Sequence, residues 1–554
     1  MSLNNMSGPI IIQSDNSVLL ETQHPQFESA RDFLSKFAEL IKSPEFIHTY
    51  RITPLSLWNA AAIEISLDEI LSGLQNYAKY QVPENVITNL QDWFDIYGKL
   101  TLYKHKNNLL RLEISKNNIF NRIINDDNLE KYWHHTEANQ FYIDSSQRGN
   151  LKQDLIKAGY PVQDLCGYVA GNQLEIGSKE IDLEGEKFDY YPYQKEAIEA
   201  FYESGNERGG SGVIVLPCGS GKTIVGIGVI DKISSHTIII TTNNVAAHQW
   251  RHELLDKTNL SQDMIGEYTG AKKIIKPITI TTYQMMTHRK STTDDFKHIN
   301  IFTDYNWGLI IYDEVHMLPA PVFRVTTNIQ SKRRLGLTAT LVREDGKEDE
   351  VFALIGPKKY DLPWKVLEQQ GYISRVYCTE FRIKMPGKLE VEYAYAKKRK
   401  QFRLASENPR KIQITEELIS NHNEDSILVI GYYISQLEEV ASELGLPIIT
   451  GKTKEEEREK LYEDFRDKRI NTLVVSKVAN FAVDLPDANI MIQLSGTFGS
   501  RQEEAQRLGR ILRPKKKRSH FYTLVSKGTR EQDFAINRQM FLVEQGYKYH
   551  IEYF

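Results

Sequence analysis

The sequence predicts an α/β fold: two doubly wound parallel-sheet domains in tandem with a small helical insertion, preceded by small α and α+β domains. Three observations predict it. Short apolar strands alternate with amphipathic helices from Phe188 onward, the alternation begins again near Ser426, and 554 residues exceed what one hydrophobic core can organise. The first series is Val213–Leu216, Thr237–Thr241, Ile278–Thr281, Leu309–Tyr312 and Arg334–Leu337. Ser426–Ile430, Pro447–Thr450, Thr472–Ser476, Ile490–Leu494 and His520–Val525 form the second. Between them, about 385–411 is a polar, basic stretch with helical spacing that fits neither sheet. The expected division is 1–90, 91–180, 181–360 and 361–554.

The first 90 residues read as mainly helical. Ser66-Leu67-Asp68-Glu69 matches a capping box ahead of the apolar spacing Ile70, Leu71, Leu74, Tyr77. Pro83 opens a helix through Tyr97 that ends at Gly98. Two strands follow, Leu100–Tyr103 and Leu109–Ile114, joined by a turn at Asn107-Asn108. Helix followed by hairpin is compatible with a winged-helix-like unit, and 115–180 reads as a further small α+β segment.

Composition excludes several classes. Hydrophobic residues at 41% and charged residues at 26% are ordinary globular usage. Cys166, Cys218 and Cys378 form no CxxC pair, which argues against a disulfide framework, a zinc ribbon or an iron–sulfur cluster. Residues 1–15 lack a basic segment before their short apolar run, and no run reaches the roughly 18 apolar residues of a membrane span, so a cytoplasmic protein is expected. Residues 1–180 carry 16 Lys/Arg against 22 Asp/Glu, dividing the net charge of −4 into −6 in front and +2 behind. The rear basic residues cluster at 332–334, 397–400 and 515–518. Such runs are usually solvated faces, and they suit phosphate tracking where a site elsewhere requires it.

That site begins with Val213–Leu216 running into Pro217-Cys218-Gly219-Ser220-Gly221-Lys222-Thr223 and an apolar helix. Strand, glycine-rich turn and helix N-terminus form a phosphate cradle. Gly219 and Gly221 let backbone N–H groups close on phosphate oxygens, Lys222 can reach the β- and γ-phosphates, and Thr223 can hold Mg²⁺. Leu216 stands where the strict phosphate-loop pattern has Gly. The strand Gly308–Tyr312 delivers Asp313-Glu314-Val315-His316 at its C-terminal end, where parallel sheets bind ligands. Asp313 can anchor Mg²⁺, and Glu314 can orient and polarise an attacking water.

These elements resemble the signature of superfamily 2 helicases. Thr338-Ala339-Thr340 is similar to motif III, which couples nucleotide state to strand movement, and Gln506 to Arg513 to motif VI, with Arg510 and Arg513 offered to the γ-phosphate. The resemblance implies ATP with Mg²⁺ as cofactors and roles in catalysis for Lys222, Asp313, Glu314, His316, Gln506, Arg510 and Arg513. It assigns nucleotide binding to Gln194, Pro217, Gly219, Ser220, Gly221, Lys222 and Thr223. Tyr191-Pro192-Tyr193-Gln194 looks like the upstream Q-type motif, with Gln194 suited to the adenine edge; the stretch reads equally as a helix cap, and many relatives have Arg at the position of Tyr191. Thr241 and Thr282 fall in segments resembling motifs Ia and Ib, which grip the phosphodiester backbone. Ser476-Lys477-Val478 and Asp484-Leu485-Pro486 resemble motif V, which implies Ser476 as a nucleic-acid contact, with Ala482 where many members have Gly.

A narrower resemblance, over about 188–545, is to XPB-type DNA helicases. Thr338-Ala339-Thr340-Leu341-Val342-Arg343-Glu344-Asp345 continues motif III into that family's RED element, and Trp364–Ile373, Val376–Glu380 and Gly499–Gly509 are similar to its text. The family implies two RecA-like motor domains flanking a thumb-like basic insertion, here Tyr393 to Lys411. Lys397, Lys398, Arg399, Lys400 and Arg403 are expected on the nucleic-acid backbone, and Arg343, Glu344 and Asp345 in strand separation. It also implies 3′→5′ polarity, a role in DNA repair, single-stranded, forked or duplex DNA as partner together with a nuclease or repair protein, and no membrane. For part of 90–180 it implies a DNA-engaging domain; the acidity there leaves partner docking or motor restraint open. Spacing alone leaves DNA against RNA and polarity open, with an RNA-dependent ATPase or an ATP-gated scaffold as the alternatives.

Overall fold

The computed structural model describes residues 8–289, 296–330, 332–340, 346–476, 488–496, 501–509, 511–512 and 518–554. Runs such as Ser211–Val215 and Thr237–Thr241 are buried at every position, the condition of a strand inside a parallel sheet covered on both faces. Seven strands form the first sheet, in the order Ile265–Tyr268, Ile278–Thr282, Thr237–Thr241, Leu309–Asp313, Arg333–Thr338, Ser211–Val215, Lys358–Asp361. All pairings are parallel. Register sets Val215 beside Thr338 and Thr241 beside Thr282, so the C-terminal strand ends share one edge.

The second sheet repeats the design with seven parallel strands, in the order Ile448–Ile449, Thr472–Ser476, Ile427–Gly431, Ile490–Gln493, Ser519–Ser526, Val376–Ile383, Tyr549–Tyr553. Four strands go beyond the sequence expectation: Ile265–Tyr268, Lys358–Asp361, Val376–Ile383 and Tyr549–Tyr553. Two of them, Lys-Lys-Tyr-Asp and Tyr-His-Ile-Glu-Tyr, are polar edge strands, where one unpaired side removes the need for an apolar run.

The N-terminal region needs two corrections. Residues 8–90 hold a sheet as well as the expected helices: Ile10–Ile12, Ser17–Glu21, Glu39–Lys42 and Ile47–Arg51 form a four-stranded antiparallel sheet beside them. Strands of three to five residues are too short to display a two-residue period. The expected helices do form. Ser66 Oγ accepts from the Glu69 N–H while Ser66 N donates to Glu69 Oε2, completing the capping box.

Second, the hairpin is not a winged-helix wing. Leu100–Lys104 and Leu109–Ile114 pair as expected, with Asn107 and Asn108 both at positive φ, but they lie within a five-stranded sheet ordered His135–Glu137, Gln140–Asp144, Leu109–Ile114, Leu100–Lys104, Val162–Leu165. Leu100, Leu102, Leu110 and Leu112 share one core with Phe141, Leu151 and Leu155. Hairpin and the segment after it are therefore one unit.

Both small units are built against the two large domains. Gly149 packs on the Thr327 backbone, and Lys152 Nζ donates to Gln330 Oε1 at 2.9 Å. Met540 of the second large domain joins the core of the first unit, and Trp58 packs on Phe352 of the first large domain. The basic insertion folds as the helices Gly387–Tyr395 and Lys398–Ser406. Its expected end is corrected: Lys411 is fully buried in the second large domain, ion-paired to Glu531. No helix among the described residues is long and apolar enough to cross a membrane.

Candidate active site

The loop Pro217–Gly221 leaves the strand Ser211–Val215 and enters the helix Lys222–Ile233. Gly219 and Gly221 have φ of 80° and 81°, the left-handed region, and a Cβ on Gly221 would lie 2.6 Å from Gln194 Nε2. Ser220 Oγ donates to Pro217 O at 2.7 Å, closing the turn. Gly221 stands at the N-cap and has no side chain to cap the helix, so among the described residues its N-terminal N–H groups are left for a ligand. Thr223 sits in its first turn, half-buried.

Across the sheet edge, Lys222 Nζ lies 3.4 Å from Glu314 Oε1 and 3.9 Å from Cys218 Sγ. Burial would lower the Lys222 ammonium, yet Cys218, Glu314 and Asp313 hold it above the usual lysine range. Burial would likewise raise the Glu314 carboxyl, but Lys222 and His316 keep it below its ordinary value. Asp313 goes the other way: burial and the adjacent Glu314 charge push it up to about 6. Glu314 has φ 50° and ψ 56°, an uncommon setting for a non-glycine residue and one met at functional sites.

Glu314 Oε2 is buried without a hydrogen-bond partner among the described residues, 3.4 Å from His316 Nδ1. An uncapped helix N-terminus, a glycine turn that a side chain would obstruct, and a carboxylate with an unused oxygen fit a polyphosphate with a divalent cation.

His316 and Thr338 join this site to the next strand. The Thr338 hydroxyl donates to Thr340 O at 2.6 Å, so His316 Nδ1, 2.8 Å from Thr338 Oγ1, is the donor of their bond. Thr340 N returns a bond to Thr338 Oγ1. Glu314, His316, Thr338 and Thr340 thus form a continuous buried path. Such a path can transmit a change at Glu314 to the segment after Thr340.

Three residues that the sequence reading missed hold the site from behind. Trp250 Nε1 donates to Asp313 Oδ2 at 3.0 Å, its ring lying where a Cβ on Gly226 would be 2.4 Å away. Tyr283 OH donates to Asp313 O at 2.9 Å, and Tyr193 OH to Ser220 O at 2.7 Å. Trp250 is 63 residues from Asp313, so no local pattern could reveal the pair.

Four expected contacts are corrected. Gln194 is buried, not offered to an adenine edge: its Oε1 accepts from Tyr191 N and its Nε2 donates to Ser220 O, so it caps its helix and braces the phosphate loop. Thr241 is fully buried, its hydroxyl spent on Asn243 O and Thr281 O. Thr282 caps the helix Tyr283–Met286 through the Met285 N–H. Ser476, with its Oγ enclosed, also offers nothing to solvent. Hydroxyls at the ends of buried strands serve the backbone first. Thr242, Asn244 and Gln284 are the more exposed polar neighbours.

From the second domain, the helix Arg501–Gly509 arrives at the phosphate loop: a Cβ on Gly509 would lie 2.2 Å from Cys218 Cβ. Arg510 and Arg513, the Gln506 side chain, the motif V residues after Ser476, and Arg343, Glu344 and Asp345 lie outside the described residues. In the insertion Lys397, Lys398, Arg399, Lys400 and Arg403 are all exposed, Lys400 paired with Glu392 and Arg403 with Glu407.

Comparison with known proteins agrees with this geometry. The family model "ERCC3/RAD25/XPB C-terminal helicase" matches residues 367–552, "Type III restriction enzyme, res subunit" matches 187–343, and "Helicase conserved C-terminal domain" matches 10–138. The chain is 46% identical over 547 residues to "DNA 3'-5' helicase XPB" of Kineococcus radiotolerans, covering 98% of this chain and 96% of that protein. It is 37% identical to the "General transcription and DNA repair factor IIH helicase/translocase subunit XPB" of Enterocytozoon bieneusi, covering 99% and 93%. Among solved structures, the DUF1998 helicase MrfA bound to DNA is similar at a TM-score of 0.48 and 16% identity, over 70% of this chain and 55% of that one. The two seven-stranded parallel domains are RecA-like motor domains, and the chain belongs to the XPB family of DNA helicases.

Proposed function

We propose that this protein is an ATP-dependent helicase or translocase that moves 3′→5′ along DNA in a repair process, in the cytosol and with a nuclease or repair protein as partner. The observation that carries the reading is the Lys222–Glu314 pair facing an uncapped helix N-terminus. Polarity and pathway are supported by the names that the relatives carry.

Within this reading, the loop from Pro217 to Thr223 binds the phosphates of ATP. Thr223 and Asp313 would hold Mg²⁺, which would neutralise charge on the phosphate oxygens. Lys222 turns from Glu314 toward the γ-phosphate. Glu314, released, orients a water and accepts its proton. Arg510 and Arg513 contribute guanidinium donors from the second motor domain, and Gln506 a polar contact. Loss of the γ-phosphate returns Glu314 to Lys222, and His316 passes the change to Thr338 and Thr340, ahead of Arg343, Glu344 and Asp345. Lys397, Lys398, Arg399, Lys400 and Arg403 engage the backbone from the insertion.

The test is strand separation on duplexes with 3′ or 5′ single-stranded tails, with ATP turnover measured on DNA and RNA. Unwinding only from the 3′ tail, with turnover stimulated by DNA, is expected. Stimulation by RNA alone would replace this reading with an RNA-dependent ATPase.

A further inference from the structure

The helix Gly387–Tyr395 ends on an aromatic ring that projects into solvent. Tyr395 is 89% exposed, and Val391, one turn earlier on the same face, is 61% exposed. An exposed tyrosine is ordinary when it stands alone, but this one adjoins a run of exposed cations, Lys397, Lys398, Arg399 and Lys400, with Lys388 two turns back. Five cations face two carboxylates, Glu390 and Glu392, across the segment 388–400, and Glu392 is already paired with Lys400 at 2.9 Å. Tyr393, by contrast, is half-buried and accepts the Arg530 N–H through its hydroxyl, fixing the helix end to the second motor domain. The helix is anchored by one tyrosine and presents the other.

We propose that Tyr395 is a base-stacking residue: its ring receives an unpaired base of a strand whose phosphates lie along the Lys397–Lys400 run. The charge selects a polyanion, and the bare ring selects among polyanions. Base faces are hidden in a duplex and open in a single strand or at a fork, so an aromatic platform beside a cationic track distinguishes the two. The inference rests on the DNA-motor reading and deepens it by naming the residue that discriminates single-stranded from double-stranded regions. Tyr395, 89% exposed, touches none of the described nucleotide-site residues, so it acts in positioning, not in hydrolysis.

The experiment compares the full-length wild type with Tyr395→Ala and Tyr395→Phe, using DNA with 2-aminopurine at the first unpaired position of a fork, and blunt duplex as control. Stacking on an aromatic predicts quenching by wild type and Tyr395→Phe but not by Tyr395→Ala. It also predicts that Tyr395→Ala binds single strands and forks about five- to a hundredfold more weakly. Blunt-duplex affinity and DNA-independent ATP turnover should stay unchanged. Single-strand binding by Tyr395→Ala equal to wild type would overturn the inference and leave the face to a protein partner. So would an equal loss on duplex, which marks a charge or folding effect, or a Tyr395→Phe as weak as Tyr395→Ala, which marks a hydroxyl contact. A wild type whose ATP turnover ignores DNA would sink the motor reading itself; a stimulated wild type with an unaltered Tyr395→Ala sinks only this inference.

Discussion

Each motor domain encloses a lysine–glutamate pair, and the two differ in how far their hydrogen bonds are completed. In the second domain Lys411 Nζ donates to Leu494 O at 2.7 Å and to both Glu531 oxygens at 2.8 and 2.9 Å, while Glu531 Oε2 also accepts from Ser526 N. In the first domain Lys222 and Glu314 stand 3.4 Å apart, and Glu314 Oε2 has no hydrogen-bond partner among the described residues. Burial pulls the Lys411 ammonium below its ordinary value despite Glu531, whereas Lys222 is held above it. A pair with every donor and acceptor used has nothing left for a ligand. One left short of hydrogen bonds can exchange its partner for a phosphate or a water. The same two residue types serve as a structural tie in one domain and a chemical site in the other.

The largest effect should come from substituting the incomplete pair. Lys222→Ala is expected to lower DNA-stimulated ATP turnover by about 10²–10³-fold, the scale of one lost phosphate-stabilising donor, while the melting temperature moves little. Lys411→Met should do the reverse. Leaving Glu531 buried and uncompensated typically costs about 3–5 kcal/mol, so denaturant unfolding should show a large stability loss. If the two variants exchanged these phenotypes, the contrast between the pairs would be lost.

Asp313 gives a prediction of intermediate size. Its carboxyl is raised from 3.8 to about 6, so the ligand-free protein binds a proton there more tightly than the unfolded chain does. This contribution to stability is complete below pH 3.8 and is lost as pH rises through about 6. A divalent cation should reverse the preference, and Mg²⁺ affinity measured by calorimetry should rise over the same interval. Trp250→Phe removes an N–H that lowers the Asp313 carboxyl, so the acid limb of the ATPase profile should move upward in pH. An unmoved limb would mean that the indole only packs.

The smallest effects belong to the exposed cations. Replacing any one of Lys397, Lys398 or Lys400 by Ala should weaken DNA binding uniformly across sequences and reduce the slope of log affinity on log salt by about one. An unchanged slope would place that lysine off the backbone path.

The phosphate loop and the Asp313-Glu314 turn were legible because each is a contiguous string whose geometry is local: strand, glycines, helix. The tandem parallel sheets were legible because interior strands must be apolar on both faces. What the sequence hid is of two kinds. Contacts between distant segments, such as Trp250 with Asp313 or Tyr193 with Ser220, leave no periodic trace. Hydroxyl groups in motif-like strings do not declare which way they face: Thr241 and Thr282 are spent on the backbone inside the sheet edge. The sheet of the N-terminal unit escaped its mainly helical reading because the strands are too short to show a period. Of the two sequence readings of Gln194, the helix cap is the one seen: it caps its helix and, instead of facing an adenine edge, braces the phosphate loop.

The central claim is that the incomplete Lys222–Glu314 pair is the hydrolytic site of a DNA-driven motor. Glu314→Gln tests it most directly, since the amide keeps the shape and removes only the charge and basicity. ATP turnover should be measured for this variant and the wild type, with and without single-stranded DNA, alongside nucleotide binding. The expected result is retained ATP binding, strong DNA stimulation of the wild type, and a fall of about 10²–10⁴-fold in the variant. A Glu314→Gln protein that hydrolyses ATP at the wild-type rate, with the same response to DNA, would contradict the account.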